Sequence, residues 1–318
     1  EVNADELLGQ AAEPLIKLAR LSYASVTDIA AGRELMAEAR LQIEETKALC
    51  DLITAQPVSN DPRLRGFAFD QWELQRGEIH NSAALKVAEE ILEPFHALHF
   101  PIAFPEVFLG QSGGFNVILG NPPWEESVVN EDKFWARHSP GFASLPTREQ
   151  EINKDSFRLD RPDLVAELED EIAEANQMRK FLHAGNFPGM GTGDPDLYKA
   201  FLWRFWFVSS VNYGRIGVVL PRSALAAKGS EAFRKSLFKS SGNIDITTLQ
   251  NSGRWVFDIH PQYTIALLGI SKSVKDMDGG ISLKGPYTSM ASFLEGKEID
   301  AHCFTVEEVL NWNESASL

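Results

Sequence analysis

Residues 115–124 read FNVILGNPPW, and this stretch decides the fold class. Its first part, from Phe115 to Leu119, is an apolar run that stops at Gly120. The run is too short for a helix and too apolar for a half-exposed strand. It therefore predicts a buried strand of a parallel sheet. A polar, proline-rich loop follows at once, at the sheet edge where open α/β folds bind their ligands.

The chain after this strand predicts an α/β sheet. Asp194 and Pro195 begin a helix that runs to about Gly214, because Asp caps helices and Pro suits the first helical position. Three more apolar runs predict strands, and a helix is predicted between the first two of them. The strands lie at 216–220, 244–249 and 263–270, and the helix lies near 229–239. This order predicts a mostly parallel sheet with one late antiparallel strand.

The chain divides into three predicted regions. Residues 1–98 form a helical lead-in, because apolar residues recur at helical spacing over 4–55 and again over 80–98. Residues 99–272 form the core that holds the sheet. Residues 273–318 begin a following region, which is a candidate for target recognition.

An insertion interrupts the core between residues 125 and 193. It has no strand pattern, and it contains an acidic helix near 162–183 and the glycine-rich stretch 185–193. Irregular segments of this length are usually functional or mobile, so we expect the insertion to bear on function.

The loop at 121–124 has the residues to bind an amino group. Pro122 and Pro123 fix their φ angles and remove two backbone donors, so the local carbonyls have no N–H beside them. The side-chain oxygen of Asn121 and the carbonyl of Pro122 can then accept both hydrogens of one exocyclic amino group. Trp124 offers a flat face for stacking. An amino group held in this way, beside a stacked ring, describes a base that has left a duplex.

The stretch FNVILGNPPW resembles the catalytic motif of DNA adenine-N6 methyltransferases, in particular the large enzymes of restriction–modification and phage-defence systems. The resemblance covers roughly residues 98–272. Other matching segments are FPEVF at 104–108, DLY at 196–198, GRIGVVLP at 214–221, the helix with Phe233 and Arg234, and the strand pair that ends at 263–270. Asn116 departs from the pattern, since the family usually has Asp there, and we expect little effect from this change.

The resemblance implies the C-terminal half of a Rossmann-like methyltransferase sheet, preceded by a helical segment. It also implies S-adenosylmethionine as methyl donor and direct transfer to an adenine amino nitrogen in double-stranded DNA. Asn121 and Pro122 would accept hydrogen bonds from that nitrogen, Pro123 completes the catalytic motif, and Trp124 would stack on the flipped adenine. Tyr198, from the DLY segment, is a candidate substrate or DNA contact.

The cofactor motif of this family is absent from the sequence. The family holds its donor with a loop of the form Asp-Pro-x-x-Gly-x-Gly before the catalytic motif, and Gly113-Gly114 lies too close to the catalytic strand to serve. The glycines at 189, 191 and 193 follow no strand. We therefore expect that the sequence is a window that lacks the cofactor half, that it is inactive alone, and that it does not bind S-adenosylmethionine at micromolar affinity.

The formal net charge of −15, taken as a single value, argues against a nucleic-acid partner. The distribution of charge along the chain changes this interpretation. Residues 197–240 carry eight basic side chains and one acid, Glu231, so this segment is +7 and the remainder is −22. Arg222 and Lys228 flank the loop after the strand at 216–220, on the same predicted edge as Asn121. We predict that they contact DNA phosphates, with ordinary solvated charges as the equally weighted alternative.

Composition narrows the other classes of protein. No apolar run reaches the roughly 20 residues of a membrane span, so no membrane association is expected. Cys50 and Cys303 lie far apart and outside any metal-ligand spacing, which predicts a reducing cytoplasm and no metal site. A catalytic cysteine is not expected either, because amino methylation needs no covalent intermediate. A fused nuclease would lie outside this sequence, and a target-recognition domain would lie outside it except for the part that residues 273–318 begin.

Two alternatives stay open. The first is an enzyme that methylates protein glutamine amides or RNA guanine amino groups, which also present a planar nitrogen. The second is a non-catalytic DNA-binding or scaffolding module that keeps a methyltransferase fold without cofactor. The long insertion favours DNA as the substrate, whereas the missing donor loop supports the second alternative.

Overall fold

The computed structural model describes most of the chain. The described residues are Gly9, 12–22, 24–67, Ile79, 82–109, 112–185, 187–191, 193–272, 280–312 and 315–318. The predicted helices over 4–55 and 80–98 therefore lie in part outside the described residues.

One six-stranded sheet organises the structure. Its strands are β1 (Val117–Gly120), β2 (Arg215–Pro221), β3 (Asn243–Gln250), β4 (Thr264–Ser271), β5 (Gly280–Tyr287) and β6 (His302–Thr305), in the order β1-β2-β4-β3-β5-β6. β1 pairs parallel with β2, β3 pairs parallel with β5, and β4 runs antiparallel between β2 and β3. The predicted α/β sheet is confirmed, with β4 as the antiparallel strand of the predicted region. β6 adds a second reversed strand at the far side.

Helices precede the sheet and connect its strands. They are α1 (Ala12–Ala19), α2 (Val26–Ala55), α3 (Ala83–Leu92), α4 (Phe100–Ala103), α5 (Pro105–Phe108), α6 (Glu131–His138), α7 (Thr147–Asp160), α8 (Pro162–His183), α9 (Leu197–Val208), α10 (Ser223–Ala226), α11 (Glu231–Ser240), α12 (Met290–Gly296) and α13 (Val306–Trp312). The predicted acidic helix coincides with α8. Among the described residues, no helix is both long enough and apolar enough to cross a lipid bilayer.

One face of the sheet forms the main core. Side chains alternate along a strand, so Ile216, Val218 and Leu220 of β2 point to the same face, and all three are buried. They pack with α9 and α11, whose Trp203 and Phe233 are also buried. Burial of apolar surface stabilises a fold by about 25 cal/mol per Å². We therefore expect this cluster to be the main source of stability for the sheet that supports the loops.

The prediction that β1 is a buried strand is wrong in one respect. Val117 and Leu119 are 62% and 80% exposed, and within the described residues β1 pairs only with β2. Its other face is covered, because a side chain at Gly120 would meet the ring of Phe205 on α9. Within the described residues, strand β1 therefore has one edge without a strand partner and one apolar face open to solvent.

The insertion at 125–193 folds around a small core of its own. α6, α7 and α8 enclose an apolar cluster made of Phe134, Trp135, Phe142, Leu164 and Leu168. The end of α8 joins the main core through Leu182. The predicted boundary at residue 273 falls between two strands of one sheet, since β5 pairs with β3.

Candidate functional site

Three loops meet at one edge of the sheet. β1, β2 and β3 run in the same direction, so the loops that follow them leave from the same edge. Asn121 follows β1, Arg222 follows β2, and residues 251–263 connect β3 to β4. Ligands of open α/β folds bind at this edge, which agrees with the predicted position of the site.

The loop after β1 is held by the start of α9. Leu197 N donates to Glu125 O at 3.0 Å, and Ser127 N donates to Pro195 O at 3.1 Å. Pro122 is buried, whereas Asn121 is exposed. Because Pro lacks an N–H, burying Pro122 leaves no unpaired donor, and the rigid loop presents Asn121 at the rim.

Trp124 is half-buried and anchored at this rim. Its indole Nε1 donates to Val219 O at 3.3 Å, and Val219 is the next residue of β2 after the last partner of β1. The ring edge of Trp124 meets Phe257, with centroids 6.2 Å apart and planes at 84°. Both contacts restrict the rotation of the indole, so the ring is held in place before any ligand arrives.

Asn251 is a site residue that sequence reasoning missed. It is fully buried, and its side-chain amide donates to Phe257 O at 2.9 Å. Its side-chain oxygen accepts from Val256 N at 3.1 Å and from Phe257 N at 3.2 Å. One side chain thereby fixes the loop that places Phe257 against Trp124. The sequence offered one signal for this role, an Asn at the end of a predicted strand followed by two aromatic residues, Trp255 and Phe257.

Tyr198, the candidate substrate or DNA contact, lies deep in the fold. Tyr198 is 1% exposed, and its hydroxyl lies 3.2 Å from Ser230 Oγ. Burial raises the pKa of Tyr198 to about 12. A side chain this deep supports the segment above it, which here is the end of the loop that follows β2.

Lys199 supports the same segment from below. Its ammonium pairs with Asp196 at 2.8 Å and donates to Gly229 O at 3.2 Å, while the side chain is almost fully buried. A buried charge needs such partners, because taking an unpaired charge out of water costs on the order of several kcal/mol. Tyr198 and Lys199 together hold the 227–230 turn.

Arg222 and Lys228 are both exposed at the predicted edge. Other basic side chains of the +7 segment are engaged elsewhere, since Lys199 and Arg234 are buried and Lys235 bonds Glu231 at 2.7 Å. The positive surface is therefore smaller than the sequence total suggests. Within the described residues, neither Arg222 nor Lys228 forms an ion pair.

An open hollow of about 550 Å³ lies over the sheet face opposite the core and reaches Asn121. Its lining includes Gly217, Gly269 and one charged residue, Asp245, whose carboxylate accepts a hydrogen bond from Ser282 Oγ. The two glycines lie inside paired strands, so their backbone N–H groups are not gathered into a loop that could cradle a ligand. S-adenosylmethionine also carries a carboxylate, and the lining offers it no cation. This hollow therefore lacks both the loop and the cation that would hold such a donor.

The glycine-rich stretches have structural roles. Gly189 has φ +73°, and a Cβ there would lie 2.5 Å from the carbonyl carbon of Ala232 on α11. The neighbouring Pro188 O accepts a hydrogen bond from Trp203 Nε1 at 2.7 Å. Gly114 is buried, and a Cβ there would lie 2.8 Å from the carbonyl carbon of Ser209. Both glycines allow close backbone contact.

No family model matches the chain, and no curated protein matches it. Solved structures with similarity to the chain include restriction–modification enzymes. The chain is 16% identical to the protein of the DrdV–DNA complex (59% of this chain, 17% of that one, TM-score 0.33). It is 16% identical to LlaBIII, an ATP-dependent Type ISP restriction-modification enzyme bound to DNA (70% and 14%, TM-score 0.37). It is 12% identical to the methyltransferase subunit of a type I restriction-modification system from Streptococcus thermophilus (100% and 92%, TM-score 0.32).

The chain thus spans 17% and 14% of the length of the first two proteins. At these identities and TM-scores the similarities carry no argument about mechanism. The geometry of the sheet edge carries the functional argument instead.

Proposed function

We propose that this chain provides the acceptor side of a DNA adenine-N6 methyltransferase active site. The observation that carries the proposal is the position of Asn121. It stands exposed at the carboxyl end of β1, three residues before Trp124, whose ring is held by Val219 and Phe257. A polar acceptor near a fixed aromatic ring suits a planar base that has left a duplex. It suits the flexible side chain of a protein substrate less well.

The proposed chemistry follows from the acceptors. The side-chain oxygen of Asn121 and the carbonyl of Pro122 accept the two hydrogens of the adenine amino group. These hydrogen bonds orient the nitrogen and favour the form whose lone pair points away from the ring plane. The bonds strengthen as positive charge develops on the nitrogen, so they stabilise the transition state more than the ground state. Trp124 excludes water from one side of the base.

The donor is proposed to be S-adenosylmethionine, which supplies an electrophilic methyl group when it is bound. The hollow beside Asn121 lacks a donor loop and a cation, so the proposal assigns the residues of this chain only to the acceptor. The proposed whole is a site-specific enzyme of a restriction–modification or defence system, and its cytoplasmic location stays a prediction.

A tritium-transfer assay tests the proposed function. The polypeptide as it is encoded in the genome is incubated with labelled S-adenosylmethionine and either unmethylated genomic DNA, a release-factor protein or ribosomal RNA. Label that enters DNA as N6-methyladenine supports the proposal. Label that enters protein or RNA would replace it with the first alternative, and DNA binding without any transfer would favour the scaffolding module.

The basic side chains at the rim give a separate prediction about DNA binding. Replacing Arg222 and Lys228 by Ala should reduce the slope of log affinity against log salt by about 0.9 per lost phosphate contact. Fluorescence anisotropy with a labelled duplex over a range of salt measures this slope. Lys239→Ala is the matched control, because Lys239 is exposed near the opposite edge of the sheet, where β3 begins. Equal slopes in the double variant and the control would contradict the assignment.

A further inference from the structure

The loop that carries Arg222 and Lys228 is held by a distant segment. α10 lies within this loop, and a helix end leaves its last carbonyls without partners in the helix. Here four successive carbonyls at the end of α10 find partners outside it. These carbonyls belong to Ala224, Leu225, Ala226 and Ala227.

Arg234 of α11 binds two of these carbonyls. It is fully buried, and Nη1 donates to Ala227 O at 2.7 Å and to Ala224 O at 3.3 Å. The rest of the guanidinium binds residues 315–318, with Nη2 donating to Ser315 O at 2.6 Å and Nε to Ala316 O at 3.2 Å. The five donors of an Arg, spread over a planar fork, suit four carbonyls in two segments, whereas the single ammonium of a Lys has only three donors on one nitrogen.

Residues 315–318 bind the other two carbonyls. Leu318 N donates to Leu225 O at 3.0 Å, and Ser317 Oγ donates to Ala226 O at 3.3 Å. Ala316 is fully buried, and Leu318 packs against the main core. A segment about 90 residues further along the chain therefore caps α10, while Tyr198 and Lys199 bind the same loop at Ser230 and Gly229.

We propose that Arg234 and residues 315–318 form a strap that positions the 222–230 loop, so that Arg222 and Lys228 face DNA phosphates together. The proposal rests on the proposed function for its DNA partner. Arg234 is a positioning residue in this scheme, because it is buried and acts through the loop. The strap also links the DNA-facing loop to the last described segment of the chain.

Hydrogen exchange followed by mass spectrometry tests the strap directly. Removing residues 315–318, or introducing Arg234→Lys, should speed amide exchange over 223–230 by about tenfold or more, while β2 and β4 keep their protection. Ser317→Ala, which removes the hydrogen bond from Ser317 Oγ to Ala226 O but keeps the bonds of Arg234, should change the same amides far less. Unchanged exchange over 223–230 would overturn the proposal, and so would an equal rise throughout the sheet, which would mean general loss of stability.

A double-mutant cycle tests whether the strap acts through the two basic residues. Removing residues 315–318 should weaken duplex binding by about tenfold at moderate salt in the otherwise unchanged chain. The same removal in the Arg222→Ala, Lys228→Ala variant should have little further effect. Additive losses would overturn the link to DNA. If the unchanged chain does not bind duplex at all, the proposed function fails, whereas the exchange experiment still decides whether the strap exists.

Discussion

Asn121→Ala should lower methyl transfer to DNA by about 100-fold or more, since one of two acceptors on the reacting amino group is lost. The side chain is exposed, and within the described residues it forms no hydrogen bond, so the free energy of unfolding should change by less than about 0.5 kcal/mol. Tritium transfer and chemical denaturation of the same preparations measure the two effects. Loss of activity without loss of stability would identify a residue that acts on the substrate.

Two variants serve as controls for Asn121. Asn121→Asp keeps an acceptor oxygen in nearly the same volume, so it should retain more activity than the Ala variant. Asn116→Ala removes the same kind of exposed side chain just before β1, far from the rim, and should leave transfer unchanged. Equal activity in the Asn121→Ala and Asn116→Ala variants would remove the acceptor role.

Gly189→Ala should reduce the free energy of unfolding by about 2–5 kcal/mol, as a sum of backbone strain and overpacking. The backbone at Gly189 has φ +73°, and the new methyl group would press on the main chain of α11, which cannot move aside without disturbing the core. Urea denaturation measures the loss.

Gly191→Ala is the matched control for this prediction. Its φ is +80°, but the nearest atom to a new Cβ is Gly229 O, at an ordinary contact distance of 3.6 Å. This variant should therefore lose only about 1–2 kcal/mol, from the left-handed conformation alone. Similar losses for both variants would show that Gly189 is retained for its backbone angle and not for its close contact.

Local patterns were enough to predict much of the fold. Apolar runs bounded by glycine or proline gave the strands that became β2, β3 and β4, because periodicity and chain breakers act within a few residues. The edge that carries Asn121 and Arg222 followed from strand direction. The sequence did not predict β5, because residues 282–287, SLKGPY, make up most of the strand and indicated only a turn.

The sequence did not reveal contacts between residues that are distant along the chain. The apolar run at β1 shows what the strand can bury, but not what covers it, so Val117 and Leu119 were wrongly expected to be inside. The tertiary partner of Tyr198 is Ser230, 32 residues away, and no spacing rule links them. Asn251 was missed because its hydrogen bonds go to the backbone of a loop whose shape the sequence does not reveal.

The open surface of β1 also affects how the chain behaves in solution. A strand with a free edge can accept another strand through its backbone groups, and exposed Val and Leu side chains add an apolar incentive. Charged or proline residues would normally discourage such pairing, but β1 itself, VILG, contains neither. We therefore expect the state of association to depend on protein concentration, because the same four residues that lead into the reactive loop leave an edge without a strand partner among the described residues.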